Sequence, residues 1–370
     1  MAVGTDADAV LDHPAVDTEG RKLLTELVSI PSVSGNETEA AEALAAFFEG
    51  HDREVWIDDI GNVRAPGDDT VLLTSHIDTV PGDIPIEIKD GDEGPELWGR
   101  GSVDATGPLV AMAIAAVETG ASFVGVVGEE STSRGAWHLI ENREAPDAVI
   151  NGEPSGWDGI TLGYRGLLEG TYVATSESGH SSRPDANAIQ HAMGWWERVE
   201  DTFEPDEWIP VFEQVTTKPV EFEGGISVDG LSMESTMEFQ LRVPPERTPE
   251  EVRELSDAEL ETGTVNWTEF IPAVMTSPRS EVARLFRVAI RKQGGDPRLL
   301  RKTGTADMNI YAEEWGCPIV SYGPGDSNLD HTPHEHLPLS AFDHSIDVLI
   351  EVCQQLGVEQ GENTPTEHEQ

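Results

Sequence analysis

In the stretch TSHIDTV, residues 74–80, His76 and Asp78 stand two residues apart directly behind the apolar run VLL. Similar placements recur downstream: Asp104 lies within LWGRGSVDATG, the adjacent Glu129 and Glu130 close FVGVVGEES, and Glu153 closes DAVINGEPS. An imidazole with several carboxylates and no cysteine is the donor set of a divalent cation such as zinc, cobalt or manganese. Five or so donors exceed what one tetrahedral ion takes. A pair of ions fits better, with a carboxylate such as Asp104 shared between ions about 3.5–4 Å apart. A metal-held imidazole passes its other ring N–H to an acceptor, and Asp78, on the same face of the strand as His76, is placed to take it. Glu129 and Glu130 point to opposite sides of the chain, so one can bind metal while the other faces water as a general base.

These residues need a frame that brings them together. Helical patterns (ETEAAEALAAFFEG, GPLVAMAIAAVETG, EVARLFRVAIRKQG, SAFDHSIDVLIEVCQQL) alternate with short apolar strands (VLLTS, SFVGVVG, DAVING, PIVSYG). That alternation predicts an α/β fold with a mainly parallel central sheet. The carboxyl ends of such strands open on one crevice, where residues far apart in sequence can meet. Between about Arg165 and Ala273 the order becomes β-α-β-β-α-β, the pattern of a ferredoxin-like α+β sandwich. The predicted organisation is a first catalytic part at 1–164, an inserted domain at 165–275 and a second catalytic part at 276–370. The polar ends, MAVGTDADAVLDHPAVDTEG and GVEQGENTPTEHEQ, read as irregular and carry no chemistry.

The chain has 70 acidic and 23 basic residues, a formal net charge of −47 over 370 residues. Such a surface repels phosphate backbones and excludes nucleic acid as a partner. The acidity runs along the whole chain, which suits a high-salt cytoplasm, because at about 1 M salt the Debye length falls to about 3 Å and self-repulsion is screened. Cys317 and Cys353 are too few for a disulfide framework or a cysteine-rich zinc site, and read as buried thiols. With no apolar run near the ~20 residues that span a bilayer, and no leader pattern, the expectation is a cytoplasmic protein without membrane contact.

From LVSIPSVSG to DHTPHEHL the motifs resemble those of the M20 metallopeptidases and amidohydrolases. That resemblance implies a three-layer, zinc-peptidase-like catalytic domain with the inserted ferredoxin-like unit as its lid. It also implies two divalent ions, zinc first, with cobalt or manganese as substitutes. His76 and Glu153 would bind one ion, Glu130 the other, Asp104 would bridge, and Glu129 would be the general base. The family's last ligand is a histidine followed by two residues, an acid or amide, and glutamate. Of His331, His334 and His336, only His331 keeps that spacing to Glu335, although His334 replaces the usual Asp or Asn. His180, in SGHSSRPDANAI, resembles the lid histidine that stabilises the oxyanion, in relatives across a dimer interface; a homodimer through the lid is therefore expected. Arg242, in QLRVPP, matches the arginine that grips a substrate carboxylate, with Gln240 where the family often has Asp. Arg165 in GYRG, with Gly304 and Thr305 in KTGTAD, are further substrate-contact candidates.

HIDTVPGDIP, LWGRGSVDATGPL, ITLGYRG and YGPGDSNLDHTP resemble one branch of that family. Its members release lysine or ornithine from the C-terminal glutamate of a small acidic amino-group carrier protein, in lysine and arginine biosynthesis. Acetylornithine deacetylase, or another deacylase or peptidase of the family, is the alternative. A homologue that binds metal without catalysis would have lost Glu129 or a ligand, and every such position is filled.

Overall fold

Four strands, Ala121–Val126, Asp68–His76, Val149–Gly152 and Ile319–Ser321, lie side by side in that order, and each adjacent pair is parallel. Their cores are the apolar runs of the sequence, Val71, Leu72 and Leu73 among them, all fully buried. A strand buried on both faces needs such a continuous run. The short strands Trp56–Ile57 and Val63–Ala65 extend one side of the sheet and Gly159–Tyr164 the other, each joining antiparallel. In this computed structural model the described residues are 7–180 and 182–358.

The chain folds as two compact units: one takes in the chain up to Leu162, Thr276–Leu300 and the chain from Ala306; the other is Gly163–Met275 with Arg301–Thr305. In the first, helix Thr106–Thr119 is buried nearly all round, consistent with its apolar sequence TGPLVAMAIAAVET, and ends at Gly120 in the left-handed conformation. Helix Glu281–Lys292 is amphipathic, capped at its start by the Ser280 side chain and ended by Arg291 and Lys292, which complement the helix dipole. A small antiparallel sheet of Glu87–Gly91, Gly94–Trp98 and His336–Pro338 also belongs to this unit.

The second unit is a four-stranded antiparallel sheet ordered Thr216–Ile226, Ser232–Val243, Gly166–Glu177, Thr264–Ile271. Helices Ala188–Phe203 and Pro249–Ala258 carry its β-α-β-β-α-β order, and Trp195, Tyr172 and Phe239 fill its core. Both helices begin with capping boxes, at Asn187 and Thr248. This is the ferredoxin-like arrangement.

The expectation of an irregular start is corrected within the described residues. Ala7–Leu11 is a short helix, Val10 and Val16 are buried, and Thr18 caps helix Glu19–Ser29. Residues 1–6 and 359–370 lie outside the described residues. Cys353 is buried, whereas Cys317 is only partly so. No described helix is long and apolar enough to cross a membrane.

Candidate active site

Because the central strands are parallel and in register, their carboxyl ends fall at one level. His76 ends its strand opposite Val126, and Ser75 lies opposite Gly152, so His76, the Glu129–Glu130 turn and Glu153 leave the sheet on the same edge. The turn into Glu129 requires Gly128, whose φ of +76° is left-handed and at which a Cβ would meet the Arg134 side chain at 2.9 Å. Asp104 lies between strand Gly94–Trp98 and helix Thr106–Thr119, and its peptide bond to Ala105 is cis.

The side chains converge on Asp104. One of its oxygens lies 3.3 Å from Nε2 of His76 and the other 3.1 Å from Nε2 of His331. The same His331 nitrogen is 3.0 Å from Glu130. His76, Asp104 and Glu130 offer donor atoms all within 4.8 Å of one another, a set that fits a divalent cation. Among the three candidate histidines only His331 reaches this cluster in the structure. His336 stacks on Trp98 with ring centroids 4.5 Å apart and its Nδ1 contacts the His334 carbonyl. His331 adopts φ +58°, a left-handed conformation that histidine enters more readily than most residues.

Electrostatics follow from this crowding. Burial works against a charged His76, yet the hydrogen bond to Asp104 and the charges of Glu129, Asp104 and Asp78 hold its pKa well above the usual imidazole value. Burial likewise opposes ionised Asp104, but bonds to His331 and His76 keep its pKa below the ordinary carboxylate range. Hydrogen bonds to Asp104 and Glu130 raise His331 to about 10. Glu129 is pushed well above the usual carboxylate value by burial; His76 lowers it, while Glu153, Asp307 and Glu130 raise it.

Asp78 corrects one expectation. Nδ1 of His76 meets the backbone carbonyl of Asp78 at 2.8 Å, with the carboxylate at 3.7 Å. The carboxylate is occupied elsewhere: Oδ1 accepts the N–H of Glu129 at 3.0 Å, and Oδ2 accepts the N–H of Glu130 at 3.1 Å and the Ser34 hydroxyl at 2.6 Å. Asp78 thus orients His76 through its main chain and the glutamate turn through its side chain.

Sequence reasoning missed two further buried acids of this unit. Glu335, noted only as a spacing marker, accepts the N–H groups of Val103 and Asp104 and an ion pair from Arg100. Burial raises its pKa, and the two N–H bonds and Arg100 pull it back toward the charged form. Asp307, at the start of helix Asp307–Trp315, is bonded to Ser133 at the end of the glutamate turn, and burial raises it to about 7. Its position in KTGTAD, behind no apolar run, gave no signal in the sequence.

The second unit carries the other candidates. His180 is exposed and its Nδ1 contacts the Ser182 hydroxyl at 2.8 Å. Arg242 donates to the Thr305 hydroxyl at 3.1 Å, beside Gly304, around which a Cβ would find open space. Arg165 is 5% exposed and donates to the carbonyls of Thr303 and Val211 and to the Thr216 hydroxyl. Those bonds tie it to the chain carrying Gly304 and Thr305. Gln240, in the place of the expected acid, donates to Glu169 directly opposite it at 2.6 Å, and the Glu169 charge favours protonated Arg242 against the effect of burial. The missing carboxylate is thereby supplied from the neighbouring strand.

An α/β sheet with a histidine and carboxylate cluster at the carboxyl ends of its parallel strands is the frame of a metal-dependent hydrolase of amide bonds. The family model for peptidase family M20/M25/M40 matches residues 72–355, and the chain belongs to that family. It is 37% identical to the [LysW]-lysine hydrolase of Deinococcus radiodurans, over 93% of this chain and 99% of that one. It is 31% identical to the [LysW]-lysine/[LysW]-ornithine hydrolase of Sulfurisphaera tokodaii, over 91% of this chain and 95% of that one. A chain of Thermococcus kodakarensis that provisionally bears the same double name is 39% identical, over 90% of this chain and 91% of that one. Among solved structures, a tripeptidase of Staphylococcus aureus aligns with TM-score 0.75 at 22% identity, covering 91% of this chain and 98% of its own. The M20 metallo-carboxypeptidase of Sulfolobus solfataricus aligns with TM-score 0.73 at 20% identity, covering 92% and 99%. These last two describe the fold.

Proposed function

We propose that this protein is a two-metal amide hydrolase that releases lysine, ornithine or both from the C-terminal glutamate of a small amino-group carrier protein. The observation that carries the proposal is the meeting of His76 and His331 on Asp104, with Glu130 on the same His331 nitrogen and within 4.8 Å of the His76 and Asp104 donor atoms. It occurs in a chain 37% identical, over nearly its whole length, to a hydrolase of [LysW]-lysine.

His76 and Glu153 would hold one ion, Glu130 and His331 the other, and Asp104 would serve both. When bound, the ions, zinc first and cobalt or manganese after it, supply positive charge that acidifies water and polarises an amide carbonyl. Glu129, partly buried and with its pKa held above the usual carboxylate value, takes the proton of the attacking water and delivers it to the departing amine. Asp78 keeps Glu129 and Glu130 in place through their main-chain N–H groups. His180 stabilises the charge developing on the carbonyl oxygen. Arg242 grips a substrate carboxylate beside Gly304 and Thr305, and Arg165 fixes that segment from behind.

The unit Gly163–Met275 acts as lid and dimerisation domain. Its edge strand Thr216–Ile226 and the following turn expose Val220, Phe222, Ile226, Val228 and Leu231, an apolar margin suited to a second copy. The enzyme works in a cytoplasm of high salt, where its charge and that of an acidic carrier are screened. The deciding assay uses protein prepared in multimolar salt with zinc or cobalt. Amine release is measured from carrier-linked lysine, carrier-linked ornithine and N-acetylornithine. Release from the carrier conjugates is expected; preference for N-acetylornithine moves the protein to the deacetylases, and silence on all three rejects the proposal.

A further inference from the structure

The chemistry proposed above gives Glu335 no part, yet its side chain is fully buried within the catalytic unit. Burying a carboxylate is costly unless it is paired and hydrogen-bonded. Here the bonds that compensate it run to the segment Arg100–Asp104: Oε1 accepts Val103 N–H at 2.9 Å and Asp104 N–H at 3.1 Å, and Oε2 accepts Nη1 of Arg100 at 2.7 Å. Arg100 in turn donates through Nε to the Gly82 carbonyl at 3.0 Å, which anchors the pair to the loop behind Asp78. Four residues before Glu335, His331 meets the Asp104 carboxylate at 3.1 Å. One short segment therefore grips Asp104 twice, at its main chain through Glu335 and at its side chain through His331.

We propose that Glu335 is a positioning residue that fixes the backbone from which Asp104 projects and sets it against His331. This rests on the reading of Asp104 as a metal ligand. A bridging carboxylate must present both oxygens in fixed directions, and groups that orient ligands change metal affinity or activity by about 10–100-fold when removed. A glutamate that merely braces the fold would change stability alone.

The test uses the full-length protein in multimolar salt, titrated with Co2+ and followed by visible absorption and calorimetry, with kcat, KM and Tm measured alongside. For Glu335→Ala the expected result is a loss of about 10–100-fold in affinity for one Co2+ equivalent, with kcat falling and KM nearly unchanged. Glu335→Gln keeps an acceptor for the two N–H groups and should recover part of that loss. Wild-type Co2+ affinity and spectrum in Glu335→Ala, at any Tm, overturn the proposal. Should Glu335→Ala not fold, Glu335→Gln and Arg100→Met carry the comparison: both should weaken one Co2+ equivalent, and unchanged affinity in both overturns it. Asp104→Asn separates this inference from the reading beneath it. If that variant keeps both Co2+ equivalents, the metal reading fails and takes this one with it. Loss in Asp104→Asn with none in the Glu335 and Arg100 variants rejects the role of Glu335 alone.

Discussion

Asp78 accepts the main-chain N–H groups of Glu129 and Glu130, and Glu335 accepts those of Val103 and Asp104; each carboxylate is 0% exposed and each takes two consecutive amides. The loops that carry the reactive acids have no ladder or helix to fix them, so a buried carboxylate does it instead. A charged acceptor makes a stronger bond than a carbonyl and holds two amides from one point.

Asp78→Ala should therefore damage both stability and turnover. It strands the amides of Glu129 and Glu130 and the Ser34 hydroxyl, an expected cost of about 1–3 kcal/mol for a buried unsatisfied group. Denaturant unfolding should show that loss, and kcat should fall more than about tenfold. Asp78→Asn, which keeps an acceptor, should be milder on both counts. Equal activity in Asp78→Ala and wild type would rule out the clamp.

Glu129→Gln tests the base. Removing a general base costs about 10²–10⁴-fold in rate, so turnover should nearly vanish while both metal equivalents remain. Metal analysis of the purified variant decides: loss of an ion would make Glu129 a ligand.

His331 makes metal uptake depend on pH. In the metal-free protein its pKa rises from 6.5 to about 10 through bonds to Asp104 and Glu130. The sign is that of a raised base: the stabilisation is complete below the unfolded value and is lost as pH rises through the folded one. A metal needs the neutral ring, so binding must displace that proton, and apparent affinity should climb as pH rises toward about 10 and level off above it. Because the side chain is half exposed, solvent screens the two ion pairs and the climb should level off at a lower pH than for a buried group. Calorimetry in buffers of different ionisation enthalpy should detect proton release, which His331→Ala should reduce; a pH-independent affinity would contradict the assignment.

Asp307 acts in the same direction at lower pH. Burial raises it from 3.8 to about 7, so the native state binds a proton that the unfolded chain has released. Stability of the metal-free protein should then fall as pH rises from about 4 to 7. Asp307→Asn should flatten that part of the profile, measured by denaturant unfolding at fixed high salt. An identical profile in the variant would show that the carboxylate is ionised throughout.

The strands of the catalytic unit were legible because burial on two faces forces continuous apolar runs, and VLL, SFVGVV and AVI are such runs. The same logic exposed His76, Glu129, Glu130 and Glu153, since a charged residue directly behind a buried strand stands out. Partners set by folding left no such trace. Nothing in the local sequence says that the Asp78 carboxylate meets amides 51 and 52 residues later, or that Glu335 meets one 231 residues before it. The cover that Glu169 gives Arg242 depends on cross-strand register, which periodicity does not fix. The small sheet around Trp98 was missed because its strands are largely half-exposed and polar, as in EIKDG.

The discontinuous catalytic unit also has a consequence for synthesis on the ribosome. The acceptor for the Asp104 amide is encoded 231 residues downstream, beyond the whole inserted unit. At about 5–20 residues per second, the nascent chain waits roughly 10–50 s between making the loop and making the residue that holds it. The apolar strands and helix Thr106–Thr119 can emerge early, but the site they frame stays open until His331 and Glu335 have been made. A chain stalled or truncated before His331 would lack Glu335 and also helix Leu339–Leu356, whose Phe342, Leu349 and Val352 are fully buried, so that neither the centre nor the core around it could be completed.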